Sequence, residues 1–205
     1  MKVRIVLLAA FASVVVYAVA ASAATVACPP SAVETSNLDG TADDDVITGC
    51  PGRDVIDALA GDDKIDSLDG DDSVNAGPGA DKAQGGAGAD RLFGGTGNDE
   101  LDGGGNADFL RGDDGNDHLK GGSGNDNLLG GGGKDDLQGG NGNDKLNGGA
   151  GVDVISAGSG VDVIDSRDRS VDKISCGPGR DLVKADRNDD VGRDCELVQR
   201  TGGAP

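Results

Sequence analysis

The chain has 205 residues, with 38 Gly, no Trp, one Tyr and three Phe, and a formal charge of −19 from 37 acidic against 18 basic side chains. That length allows one domain, but so little aromatic and branched bulk excludes an ordinary packed globule. The negative charge disfavours nucleic acid and anionic membrane surfaces and makes cations the natural counterpart, without which the composition describes a disordered chain.

Residues 1–23 read as a secretory signal peptide. Lys2 and Arg4 precede an apolar run over 5–20, and Ala21-Ser22-Ala23 forms an A-x-A cleavage pattern. An uncleaved anchor is the alternative, since about 20 apolar residues just span a bilayer, but the small residues near Ala23 favour cleavage. A lipid anchor on Cys28 is disfavoured by Thr25, which stands where an aliphatic residue is needed. Once the signal is removed, no other stretch is apolar enough to enter a membrane, and the mature protein loses two positive charges. Residues 24–39 then form an N-terminal cap.

From Gly40 the chain keeps a nine-residue period without insertion or deletion to Asp165. The two copies in GGAGADRLFGGTGNDELDGG, residues 85–104, show it clearly. Position six is Asp45, Asp54, Asp63, Asp72, Asp81, Asp90, Asp99, Asp108, Asp117, Asp126, Asp135, Asp144, Asp153 and Asp162, aspartate in all fourteen copies. Position eight runs Ile47, Ile56, Ile65, Val74, Ala83, Leu92, Leu101, Leu110, Leu119, Leu128, Leu137, Leu146, Ile155 and Ile164, with only Ala83 small. Position four is Gly except at Asp43 and Asn106, residue types that tolerate positive φ. A flexible linker does not keep count over so many copies.

The unit G-G-x-G-x-D-x-(aliphatic)-x resembles the RTX, or haemolysin-type, calcium-binding repeat. The resemblance covers residues 40–165 and is cleanest from Gly85 to Ser156. It is looser at Ala58-Leu59 and Ser67-Leu68, where the first two glycines are missing. It implies an all-β fold: a parallel β-roll solenoid of fourteen in-phase nonapeptides, capped at both ends.

Each nonapeptide is expected to form a half-coil. Positions seven to nine make a very short strand that turns position eight inward and its neighbours outward. Position seven agrees, reading Lys64, Ser73, Lys82, Arg91, Glu100, His118, Asn127, Asp136 and Lys145 apart from Phe109. One aliphatic side chain per nine residues buries far less than ordering those residues costs. The turns must supply the rest. Glycines at positions one, two and four permit left-handed dihedrals and free carbonyls, and the position-six Asp adds a carboxylate. Alternate turns stack, so Asp90 faces Asp108 and Asp99 faces Asp117. Carboxylates and carbonyls at that spacing suit Ca²⁺, which takes six to eight oxygen ligands, so up to about twelve ions are expected, one per pair of stacked turns. Mg²⁺ demands a tighter octahedron, and zinc lacks nitrogen and sulfur ligands. All fourteen aspartates are therefore candidate metal ligands, and the chain is expected to stay unfolded where calcium is scarce.

Beyond Asp165 the phase slips at SRDRSVDKIS and recovers in CGPGRDLVK, with Asp181 and Val183 in the Asp and aliphatic positions. Residues 166–205 are expected to hold irregular repeats, a C-terminal cap and a disordered tail. DRNDDVGRDCE lacks the central Gly and final Glu of an EF-hand. Val46, Val55, Val154 and Val163 break the polar pattern of position seven and are expected to lie under terminal caps. Fourteen half-coils make a rod roughly 34 Å long, holding Cys28 and Cys50 at one end and Cys176 and Cys195 at the other. Disulfides need Cα atoms within about 7 Å, so Cys28–Cys50 and Cys176–Cys195 are the expected pairs in an exported chain.

An enzyme is not expected. His118, the single histidine, occupies an outward, variable position, and no nucleophile–base pair accompanies it. A secreted calcium-binding repeat protein is the leading reading. A calcium-rigidified adhesin or matrix component, with its cell-surface or matrix partner unidentified, is the alternative, although position nine shows no long aromatic or threonine row. A secreted calcium buffer without a specific partner is the third.

Overall fold

The computed structural model describes residues 14–17, 24–27 and 35–201. Strands alternate between two wholly parallel sheets, of eleven and ten strands, which face each other in a β-solenoid of about nine turns. Among the described residues there is no helix, and so none able to cross a membrane. Every strand pairs with the strand one full coil away: Leu110 lies between Leu92 and Leu128, and Leu119 between Leu101 and Leu137. A coil is thus eighteen residues, two nonapeptides, as the sequence predicts.

Position eight fills the space between the sheets. From Leu92 to Leu137 every such leucine has no exposed surface, and Ala83 is equally buried. Through the middle of the array the strands are longer than three residues, although Val46–Thr48, Lys64–Asp66 and Val163–Asp165 keep the expected length. The strands Arg91–Thr96 and Glu100–Gly105 each continue through the first three positions of the next repeat, because the glycine backbones there stay in register (Gly104 with Gly122). The true turn shrinks to positions four to six.

That extension changes the role of the first glycine. Positions two and four are left-handed, as Gly86 (φ 98°) and Gly88 (φ 141°) show, but position one is not. Gly85 is needed for space: a Cβ there would lie 2.5 Å from Asp90 Oδ2 and 2.7 Å from the Gly103 carbonyl oxygen. At Leu59 (φ 77°), Leu68 (φ 73°) and Asp113 (φ 76°) position two stays left-handed despite a side chain, at a cost, whereas Thr41 and Cys50 in the first two repeats do not take that conformation. Asn106 takes position four at φ 77°.

The coil does not stop at the fourteen repeats. Thr25–Ala27 and Thr35–Thr41 stack below them, and Lys173–Ser175, Leu182–Asp186, Asp190–Val191 and Leu197–Thr201 stack above. The end rungs run on to Thr201, and the Arg200 guanidinium donates to the carbonyls of Asp186, Arg187 and Asp189; the last residues of the expected disordered tail lie outside the described residues. Among the described residues the end rungs extend the stack instead of folding over it, and they leave the terminal valines uncovered. Val46, Val55 and Val154 are 48%, 45% and 46% exposed, and Val163 is half-buried, so the expectation that caps bury them fails.

The second disulfide is present, with Cys176 and Cys195 Cα atoms 5.2 Å apart. Cys50 is buried and disulfide-bonded, while Cys28 lies outside the described residues. Most of residues 1–23 also lies outside them; Val14–Tyr17 pairs as an edge strand with Thr35–Thr41.

The turn geometry separates two glycine classes. Gly97 has φ 131°, and a Cβ on it would collide with the Gly79 carbonyl; the nearest atom to a Cβ on Gly132 is 3.8 Å away. Gly97→Ala should destabilise the folded protein by about 2 kcal/mol or more, and Gly132→Ala should change it by less than about 0.5 kcal/mol. Thermal melting of both variants checks this.

Candidate metal centre

The position-six aspartates form two parallel columns, one along each edge of the roll. Each Asp is 0–3% exposed from Asp45 to Asp162. The turn preceding a strand brings its Asp over the Asp one coil away, so Asp90 N–H donates to Asp108 Oδ1 at 2.9 Å and Asp99 N–H to Asp117 Oδ1 at 2.9 Å. The same bond links Asp45 to Asp63, Asp54 to Asp72, Asp63 to Asp81, Asp72 to Asp90 and Asp81 to Asp99. It continues from Asp108 to Asp126, Asp117 to Asp135, Asp126 to Asp144, Asp135 to Asp153 and Asp144 to Asp162. The Asp carbonyl is spent too, accepting from the first residue of the strand above, as Phe109 N–H does on Asp90 at 2.8 Å.

Over most of the two columns one carboxylate oxygen is left over. From Asp63 through Asp162, Oδ2 is buried without any hydrogen-bond partner. A buried acceptor in that state costs free energy, and a charged one costs more. Asp45 is different: its carboxylate accepts from Ala24 N–H, Thr41 N–H and the Thr41 hydroxyl. Asp54 accepts from Cys50 N–H at 2.6 Å.

Burial and like charge act together on these groups. Asp99, Asp108 and Asp135 are pushed up to about 7, and Asp63, Asp72, Asp144 and Asp162 to about 6, chiefly by burial, with the stacked aspartates adding to it and the backbone hydrogen bond opposing it. Asp81, Asp90, Asp117, Asp126 and Asp153 shift upward for the same leading reason. The column is therefore poised to take either protons or cations.

The donor set fits a hard cation. Backbone carbonyls lie beside several of the orphaned oxygens: Asp126 Oδ2 and the Gly139 carbonyl oxygen both border the space a Cβ on Gly121 would fill, as Asp90 Oδ2 and the Gly103 carbonyl do at Gly85. Among the described residues no three His, Cys, Asp or Glu side chains converge on one point, so a metal here depends on main-chain oxygens for most of its ligands. All ligands are oxygen, which suits calcium and not zinc.

Two features escape the nine-residue ruler. Asp153 N–H donates to Asp172 Oδ1 and Asp162 N–H to Asp181 Oδ1, both at 2.9 Å, so the columns absorb the one-residue slip and continue. The ten-residue step from Asp162 to Asp172 hid the first of these. Position five also carries a ladder: Asn98 Oδ1 accepts from Asn116 N–H, Asn116 from Lys134 and Asn143 from Val161. The Asn or Asp that recurs before many of these aspartates, as at Asn98, Asn116, Asn125 and Asn143, was its signal. His118 stands on an outer sheet face with Nδ1 3.2 Å from Asp136 Oδ2, away from both columns.

The RTX calcium-binding nonapeptide repeat, as a four-copy family profile, matches residues 39–74, 50–83, 66–101, 75–110, 102–137 and 129–164. The match covers more than half of the chain, and the chain belongs to this family of calcium-binding repeats, whose β-roll is a structural fold. No curated protein matches the chain significantly.

The raised carboxyl values fix the sign of a pH effect in the calcium-free protein. An aspartate at 6–7 in the roll and near 3.8 unfolded holds an extra proton in the roll. Stability from this source is complete below about pH 4 and is lost as the pH rises through 6–7. Acidifying calcium-stripped protein from pH 8 to pH 5 should therefore increase its β signal in circular dichroism. With calcium saturating, the same acidification should weaken the fold, because protons compete for the ligands.

Proposed function

We propose that this chain is an exported calcium-binding protein whose roll forms when calcium occupies the spaces between stacked Gly/Asp turns. The single observation that carries the reading is the buried, unpartnered Oδ2 repeated from Asp63 to Asp162. These twelve aspartates, with neighbouring carbonyls, would hold the metal. Asp45 and Asp54 open the columns with carboxylates already engaged by Thr41 and Cys50. Calcium supplies two positive charges and accepts six to eight hard oxygens, and so offsets both the orphaned acceptors and the net charge of −19.

In the stripped chain the columns repel themselves and one aliphatic residue per repeat holds too little surface out of water. The chain then stays open until its carboxylates are neutralised. Export fits this logic, since calcium is abundant outside cells, and Lys2, Arg4 and Ala21-Ser22-Ala23 supply the address. Cleavage after Ala23 removes the Val14–Tyr17 strand and leaves Thr35–Thr41 at the sheet edge.

A second reading, a calcium-rigidified adhesin or matrix component, draws support from one outer face. Phe93 and Phe109, on adjacent rungs, bring their rings to 5.7 Å, and the Arg91 guanidinium lies over both. Surface assays with Phe93→Ala/Phe109→Ala address it: calcium-dependent attachment lost in that variant favours adhesion.

Isothermal titration with calcium, followed in parallel by circular dichroism, tests the main reading. Several ions should bind per chain while the β signal grows. A full β signal in excess chelator would defeat it. The exported protein should begin at Ala24 by mass spectrometry.

A further inference from the structure

We propose that the turn Cys176-Gly177-Pro178-Gly179-Arg180-Asp181, outside both the fourteen repeats and the family match, is a further calcium site. It rests on the calcium reading of the array and extends it to residues the repeat pattern leaves out. The backbone follows an array turn at its second position and in its close approach to the coil below, although Gly179 at the fourth is not left-handed. Gly177 is left-handed (φ 85°), and a Cβ on it would collide with the Gly158 carbonyl, as one on Gly86 would with that of Leu68. A Cβ on Gly179 would meet the Gly160 carbonyl in the way one on Gly142 would meet that of Gly124. Gly160 N–H donates to the Pro178 carbonyl at 3.0 Å, matching Gly142 to Ser159 at 2.8 Å.

The carboxylate is placed in the same way. Asp181 has no exposed surface, its Oδ1 accepts from Asp162 N–H at 2.9 Å, and its Oδ2 is buried without a partner. That unpartnered oxygen points to a ligand independently of the turn's shape.

The outer side of this turn is closed by different means. Cys176 stands where other turns have a small residue, and its disulfide to Cys195 pins the segment that follows. From that segment Asp194 Oδ2 accepts from Cys176 and Gly177 N–H at 3.0 and 2.8 Å, and Glu196 Oε2 from Asp181 N–H at 3.1 Å. Side-chain carboxylates and a covalent link thus replace the next glycine turn, leaving Asp181 Oδ2 for a hard divalent cation. The opposite edge is not included. Asp172 shares the orphaned oxygen, but its turn has no glycine, and Asp168 is spent on Gly151 N–H and Ser170.

Calcium titration of the full chain with both cysteine pairs oxidised decides the matter. Asp181→Asn should bind one ion fewer than wild type, with the calcium-loaded β signal retained. Val183→Ala, which loosens the same rung without altering a carboxylate, should bind the wild-type number. Equal stoichiometry in Asp181→Asn and wild type overturns this site while leaving the array intact. An equal loss in Val183→Ala also overturns it, by assigning the effect to rung stability. A wild-type chain that binds no calcium overturns the array reading and this site with it.

Discussion

Two columns of buried carboxylates, from Asp63 to Asp162 with one oxygen hydrogen-bonded and the other bare, constrain the rest of this molecule. The bonded oxygen fixes the spacing of coils, because Asp N–H to Asp Oδ1 closes only when turns stack in register. The bare oxygen fixes the chemistry, because a buried anion facing another anion one coil away needs a proton or a metal. Glycine follows from both demands. Left-handed positions two and four bend the chain sharply enough to bring the carboxylates over one another, and position one stays small beside Oδ2, glycine in most repeats and Ala or Ser at Ala58, Ser67, Ala76 and Ala157. The conserved letters of the repeat therefore serve the carboxylate, and the aliphatic at position eight serves the sheets.

Much of this was legible in the sequence, since periodicity reports geometry directly. A nine-residue phase with one inward residue implies paired half-coils, and Leu92, Leu110 and Leu128 stack as that implies. The stacking of Asp90 on Asp108 follows from the same count. What the sequence hid were consequences of the backbone. Whether strands end at position nine or run on through glycines depends on hydrogen bonding that glycine neither favours nor forbids. The reason for Gly85 was read as conformational when it is steric. Val46 and Val154 looked like residues awaiting a cap because an apolar side chain was assumed to need cover, yet isolated exposed valines are ordinary on a sheet face. Phe93 and Phe109 sit at different repeat positions, so no single row showed their contact across neighbouring rungs.

The outward faces show how little else the fold requires. Lys82 reaches Glu100 at 2.6 Å and Lys120 reaches Asp102 at 2.8 Å, both pairs one coil apart and open to solvent on the outer faces. Such pairs contribute little to stability, and positions seven and nine vary freely for that reason. Position five is intermediate. Its Asn or Asp side chain ties the exposed backbone of one turn to the next, yet Ala, Lys and Val also occur there, because water can serve the same N–H.

The irregular end reveals which of these constraints dominates. Between Asp162 and Asp181 the spacing grows by one residue, glycine vanishes from one turn, and the left-handed position falls to Arg169 (φ 86°). Even so, Asp153 still meets Asp172, Asp162 still meets Asp181, and Ile164 still stacks on Val183. Asp168 rebuilds the missing turn by accepting from Gly151 N–H where a main-chain carbonyl would otherwise stand. A chain able to discard its glycines and its phase while holding the carboxylate and aliphatic registers is organised around those two columns, and the glycines are the commonest means of reaching them.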